Sequence, residues 1–158
     1  MSGTAVAENS LRTGAKAINL TVNTTGDSVL LSEALDTRLK GKYFTSNTMA
    51  ILFGVGLNLY GSDGDGTDMS LMGGVRSYQG SGDFATFFGG SISYADLESL
   101  GNVTEIAFLG EFGGEYFFHR QFSVEGSLRA GYASADFGPV TVTNLGTFGG
   151  QISLNYYF

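Results

Sequence analysis

The sequence predicts an all-β fold, an eight-stranded antiparallel up-and-down transmembrane β-barrel. Three observations carry that prediction. Eight separate stretches alternate between two kinds of residue with period two. Charged residues make up only 15% of the 158, well under the roughly 25% usual in soluble domains. Aromatic residues, 13% of the chain, gather at the ends of the stretches. Mean hydropathy is close to neutral, which a membrane strand allows, because only every second residue meets lipid. No apolar run reaches the about 18 residues that a membrane-spanning helix needs. Glycine is abundant (25) and proline nearly absent (1), as suits many strands with few breaks.

The expected strands run in order over residues 13–23, 28–41, 49–60, 68–79, 84–95, 103–117, 121–133 and 147–158. The second is the weakest, since SVLLSEALDTRL also has helical propensity; its alternate residues Ala34, Asp36, Arg38 and Lys40 form a polar side. In the third, Gly54, Gly56 and Asn58 oppose Ile51, Phe53, Val55, Leu57 and Leu59. In the sixth, Glu105, Ala107, Leu109, Glu111, Gly113 and Glu115 oppose Thr104, Ile106, Phe108, Phe112 and Tyr116. In the seventh, Ser123, Glu125, Ser127 and Arg129 oppose Phe122, Val124, Leu128 and Tyr132. In the eighth, Gln151, Ser153 and Asn155 oppose Ile152, Leu154 and Tyr156. The polar sides are rich in small residues with a few charges of both signs, which suits a narrow enclosed interior. The other sides make a continuous apolar coat.

The connections are of two kinds. Short ones lie beside aromatics at Phe44-Thr45-Ser46-Asn47, Gly80-Ser81-Gly82-Asp83 and His119-Arg120. Longer or more acidic ones cover 61–67, 96–102 and 135–146, with a short companion at 24–27. The two kinds alternate, so the longer loops fall at one end and both termini at the other. Tyr43, Phe44, Tyr78, Phe84, Tyr116, Phe117, Phe118, Phe122, Tyr156, Tyr157 and Phe158 are expected in an aromatic belt at the short-turn end, and Tyr60, Tyr94, Tyr132 and Phe148 in a second belt at the other. A bilayer selects such belts because amphipathic rings rest at the headgroup level. Closure into a cylinder satisfies the backbone of the first and last strands, which lipid would leave unpaired.

These features limit the function. A net charge of −7 argues against a nucleic-acid partner. The chain has no cysteine, hence no disulfide framework, thiolate zinc site or cysteine nucleophile. The start of the chain has neither a charged n-region nor an apolar h-region and reads as a mature domain; Ala5-Val6-Ala7 has the small-residue character that precedes a cleavage site. Residues 1–12 are expected to be a flexible segment and 13–158 a single barrel domain.

At this level the chain resembles the small bacterial outer-membrane barrels of the OmpA, OmpX and opacity-protein type. The most specific likeness is the C-terminal signature Ile152, Leu154, Tyr156 and Phe158; the hairpin GGEYFFHRQFSVEGSLRAGY is also similar. The resemblance implies a bacterial outer-membrane location with periplasmic termini. It implies outer-membrane lipid and lipopolysaccharide as surroundings, and recognition of the C-terminal signature by the barrel-assembly machinery. It leaves any surface partner unspecified.

With this facing, Asp36, Arg38, Lys40, Arg76, Glu105, Glu111, Glu115, Glu125 and Arg129 point inward, where charges must pair or meet water. Glu111, Glu115 and Glu125 opposite Arg76, Arg129 and Arg38 form the expected ladder. It can fix strand register, plug a gated pore or line a path for small ions. No catalytic residue and no cofactor is expected: His119, the only histidine, lies in a short turn as a solvated residue. SDGDGTD offers Asp63, Asp65 and Thr67 as a weak cation site, but Asp68 and Gly74 stand where an EF-hand loop needs Gly and Glu. Asp27, Asp96, Glu98 and Asp136 are expected to form an acidic rim bridged to lipopolysaccharide phosphates by divalent cations. GGVRSYQGSG lacks the context and the lysine of a phosphate loop. The expected role is a non-enzymatic outer-membrane barrel with a filled interior, structural or surface-facing. A narrow channel for ions or small solutes is the alternative. A soluble lipocalin-like carrier of an apolar ligand is the second alternative and requires the two faces to be swapped.

Overall fold

The computed structural model describes residues 10–23, 38–60 and 66–158. Eight antiparallel strands close into a barrel in the order of the chain: β1 (Lys16–Asn23), β2 (Arg38–Phe44), β3 (Met49–Tyr60), β4 (Gly66–Gln79), β5 (Phe84–Leu97), β6 (Val103–His119), β7 (Phe122–Asp136) and β8 (Thr141–Tyr157). A one-turn 3₁₀ helix, Glu98–Leu100, joins β5 to β6. The barrel closes where β1 pairs with β8, from Ala17 opposite Tyr157 to Asn23 opposite Gln151. Beyond the ladder, the Phe158 N–H donates to the Lys16 carbonyl at 3.0 Å. β4 to β8 run 14 to 17 residues each, longer than the about 9–11 that cross a bilayer.

The facing is that of a membrane barrel. Phe108, Leu128 and Ile152 are 53, 68 and 51% exposed, while Glu115 is fully buried and Arg129 nearly so. A soluble lipid carrier needs the reverse, so that alternative fails. Ile18, Leu39, Ile51, Phe53, Val55, Leu71, Val75, Phe88, Ile92 and Leu154 complete the exposed coat. In water so large an apolar surface would drive aggregation. Against hydrocarbon it carries no such penalty.

Three expectations need correction. First, the described part of strand 2 continues past residue 41 to Phe44; residues 28–37 lie outside the described residues, as does the expected 24–27 connection. Second, the loop expected at 135–146 is a tight turn. The Asp136 carboxylate accepts the Gly138 N–H at 2.8 Å, the Phe137 N–H donates to the Val140 carbonyl at 2.9 Å, and Gly138 takes φ +84°. Strand β8 therefore starts at Thr141. Its alternation shifts phase at a bulge, where Leu128 faces Gly150 but Ala130 faces Thr147, with Gly149 at φ +87°. Third, the belt at the short-turn end loses four members. Phe44, Tyr78, Phe117 and Tyr157 are buried inside the barrel. The outer belt there is Tyr43, Phe84, Tyr116, Phe118, Phe122, Tyr156 and Phe158, all exposed. Phe122 and Tyr156 are in ring contact at 5.1 Å. Toward the opposite end, Tyr94 and Tyr132 face outward. Of the expected flexible segment, residues 1–9 lie outside the described residues, while Leu11 packs on the buried aromatic cluster.

Candidate functional site

The barrel interior is built in layers. At the short-turn end Phe44, Tyr78, Phe87, Phe117 and Tyr157 fill the cross-section, backed by Ala15, Ala17, Ala50 and Ala85. Ring centroids lie 5.2 Å apart for Phe44–Tyr78, 5.5 Å for Tyr78–Phe87 and 5.7 Å for Phe117–Tyr157. Such tilted contacts suit the ring quadrupoles. These aromatics share the inward parity of their strands: Tyr78 follows Arg76 by two residues, Phe117 follows Glu115, and Tyr157 follows Asn155.

On this aromatic floor rests a cluster of two cations and three carboxylates. Glu115 and Glu125 are directly opposite each other on β6 and β7, a like-charge pair that is destabilising unless cations come between. Lys42 supplies one: its Nζ lies 2.9 Å from Glu115 Oε2 and 2.6 Å from Glu125 Oε2. It also donates to the Tyr78 hydroxyl at 3.1 Å. Arg76 supplies the other. Its Nε and Nη2 grip Glu111 bidentately at 2.8 and 2.9 Å, and its Nη1 reaches Glu125 Oε2 at 2.9 Å. The guanidinium carbon is 3.8 Å from the Phe87 ring centroid, a cation–π contact out of water. A planar fork that bonds two carboxylates and stacks on a ring is beyond lysine.

Neutral donors complete the carboxylates' hydrogen bonding. Glu115 accepts from the Tyr157 hydroxyl at 2.5 Å, from Asn155 Nδ2 at 3.0 Å and from the Ser123 hydroxyl. Glu125 accepts from Asn155 Nδ2 at 3.2 Å and from Asn19 Nδ2 at 3.3 Å. Asn19 also donates to the Asn155 Oδ1 at 2.7 Å, tying β1 to β8 across the closure. Toward the loop end a cavity of about 40 Å³ remains, lined among others by Lys40, Met72, Ser91 and Arg129. That is room for only a few waters. Beyond it come Ala107, Leu109 and Ala133, then Ala95, Leu97, Val103 and Ala135.

Of the predicted interior charges, Arg76, Glu111, Glu115 and Glu125 belong to the cluster, and Lys40 and Arg129 line the cavity above it. Arg129 is directly opposite Glu111 on the neighbouring strand. Glu105 is buried nearer the loop end. Arg38 is placed by its backbone, opposite Gly56. Asp36 lies outside the described residues, and so do Asp27, Asp63 and Asp65. The backbone N–H of Thr67 donates to Glu98 at 2.9 Å, and Asp68 accepts the Ser99 N–H and hydroxyl at 3.0 and 2.6 Å. These bonds tie the start of β4 to the 3₁₀ turn. His119 is exposed, its Nδ1 accepting the Gln121 N–H at 3.3 Å.

Glycines make room for the cluster. A Cβ on inward-facing Gly113 would come 2.2 Å from the Gly126 carbonyl oxygen and 2.6 Å from the Phe87 ring. Gly113→Ala is therefore expected to cost about 1–3 kcal/mol by overpacking. The urea midpoint of the detergent-folded protein checks this; an unchanged midpoint contradicts the crowding.

The fold matches a solved structure over most of its length. The N-terminal β-barrel domain of Pseudomonas aeruginosa OprF superposes with a TM-score of 0.58 at 12% identity, covering 92% of this chain and 98% of that one. The chain has the fold of a small outer-membrane barrel. Neisserial surface protein A and Ail, the attachment invasion locus protein of Yersinia pestis, are also similar, each 15% identical over 92% of this chain. Their TM-scores are 0.46 and 0.40, with 94 and 99% of their own chains covered. No family model and no curated protein matches the sequence.

Proposed function

We propose that the protein is a non-enzymatic integral barrel of the bacterial outer membrane with a structural or surface-facing role. Its chain ends lie toward the periplasm and its longer loops at the cell surface. The observation that supports this best is the closed interior: five buried aromatics cross the lumen beneath a fully hydrogen-bonded ion cluster. Eight strands enclose only a packed lumen, and the small cavity above the cluster ends on Lys42, Arg76, Glu111 and Glu125. Outward-facing apolar residues between aromatic belts support the membrane placement.

The test has two readouts. The purified protein is expected to migrate as a heat-modifiable band in detergent gels. Reconstituted into planar bilayers, it is expected to show no discrete current steps above the lipid background. Reproducible small steps would favour the narrow-channel reading instead.

A further inference from the structure

Among the described side chains, the exposed cations are Arg12, Lys16 and Arg120, and all three lie at the short-turn end. The acids exposed at the opposite end, Glu98 and Asp136, have no cationic counterpart there among the described side chains. At the short-turn end, among the described side chains, Glu115 and Glu125 are buried in the ion cluster and Asp83 is the one acid that is only half-buried. So strong a polarity along the barrel axis gives the two ends different affinities for anionic surfaces.

The cations are gathered by specific contacts. The Ser10 hydroxyl donates to the Arg120 carbonyl, fastening residues 10–12 across the β6–β7 turn. The Arg12 N–H donates to the Ser10 carbonyl at 2.8 Å, and its own carbonyl accepts the Ala15 N–H at 3.0 Å. Leu11 packs against the aromatic floor. The result is a cavity of about 380 Å³ walled by Ser10, Arg12, His119, Arg120 and Phe158. Lys16 stands just beside it on the outward face, opposite Tyr43 and hydrogen-bonded through its backbone to Phe158. The outer belt residues Tyr156 and Phe158 run past the same place.

We propose that this cavity binds the headgroup of an anionic phospholipid, its phosphate between Arg12 and Arg120 and its acyl chains along the outer belt. Arginines hold phosphate through paired charge-assisted hydrogen bonds, and basic residues beside a membrane boundary attract anionic headgroups. The adjoining belt favours a lipid over a free anion, because it places the cavity at the headgroup level. The inference rests on the proposed membrane placement with the chain ends toward the periplasm and not on a closed lumen, so a conducting barrel would leave it standing.

The experiment places the protein in micelles holding phosphatidylglycerol and phosphatidylcholine in equal amounts and counts retained lipids by native mass spectrometry. Wild type is expected to retain phosphatidylglycerol preferentially. Arg12→Gln and Arg120→Gln are each expected to lower that preference about fivefold, while Arg12→Lys largely keeps it. Lys16→Gln, which changes an exposed side chain, is expected to lower it as well. Heat modifiability confirms that each variant is folded. Equal retention of the two lipids by wild type, or undiminished preference in all three Gln variants, overturns the proposal. Displacement of the lipid by added inorganic phosphate would make the cavity a site for free anions and overturn the lipid assignment.

Discussion

Lys42→Met is expected to destabilise the barrel by about 3–5 kcal/mol, the usual consequence of leaving a buried charge without its partner. Lys42 is 2% exposed, and Glu115 beside it is fully buried. Arg76 reaches Glu125 and Glu111, so among the described residues the Lys42 ammonium is the cation within ion-pair distance of Glu115. Methionine fills a similar volume but leaves the cross-strand pair Glu115 and Glu125 facing each other with one cation too few. The second half of the prediction is rescue. Adding Glu115→Gln to Lys42→Met removes the uncompensated charge, and the double variant is expected to regain more than half of the loss. Urea unfolding in lipid vesicles measures both. Conductance is expected to stay at background in the single variant, because the aromatic floor lies below the cluster and does not depend on its charge. A Lys42→Met barrel as stable as wild type would show that water reaches the pair.

How much of this was legible in the sequence depended on one signal. Period-two alternation found eight strands, and it assigned Leu128, Phe108 and Ile152 outward and Glu111, Glu115, Glu125 and Arg129 inward, as the structure has them. Lys42 lies one residue past the expected end of strand 2 at residue 41, so the alternation does not reach it. The strand runs on to Phe44, and Lys42 has the same parity as Arg38 and Lys40. The buried aromatics differ from expectation for another reason. Position near a strand end suggested a membrane belt, although Tyr78, Phe117 and Tyr157 share the parity of Arg76, Glu115 and Asn155. Facing is set by the pleat, and it overrides the tendency of aromatics to gather at interfaces. The early start of β8 was hidden by the bulge at Gly149, which inverts the alternation. Alternation puts Ser123 and Asn155 on inward sides but does not name their partners, and Asn19 and the tyrosine hydroxyls leave no signal of their own. Which neutral donors complete a buried carboxylate depends on strand register, and a single sequence does not state register.

Leu128→Arg is expected to cost about 2–4 kcal/mol, the penalty for a cation on the lipid face near mid-bilayer. Leu128 sits midway along β7 with a side chain 68% exposed. On a water-facing surface the same change would fall within about 0.5 kcal/mol, because nothing packs against so open a position. The size of the loss therefore reports the solvent that the residue meets. Leu100 is the internal control. It is similarly exposed but lies in the 3₁₀ turn beyond β5, where the bilayer gives way to headgroups and water. Leu100→Arg is expected to cost no more than about 1 kcal/mol. Paired urea titrations in vesicles give the difference directly, with no assumption about the unfolded state shared by the two variants. A tolerated arginine at Leu128 would mean that its face meets water, and the closed lumen would then need a different physical reason.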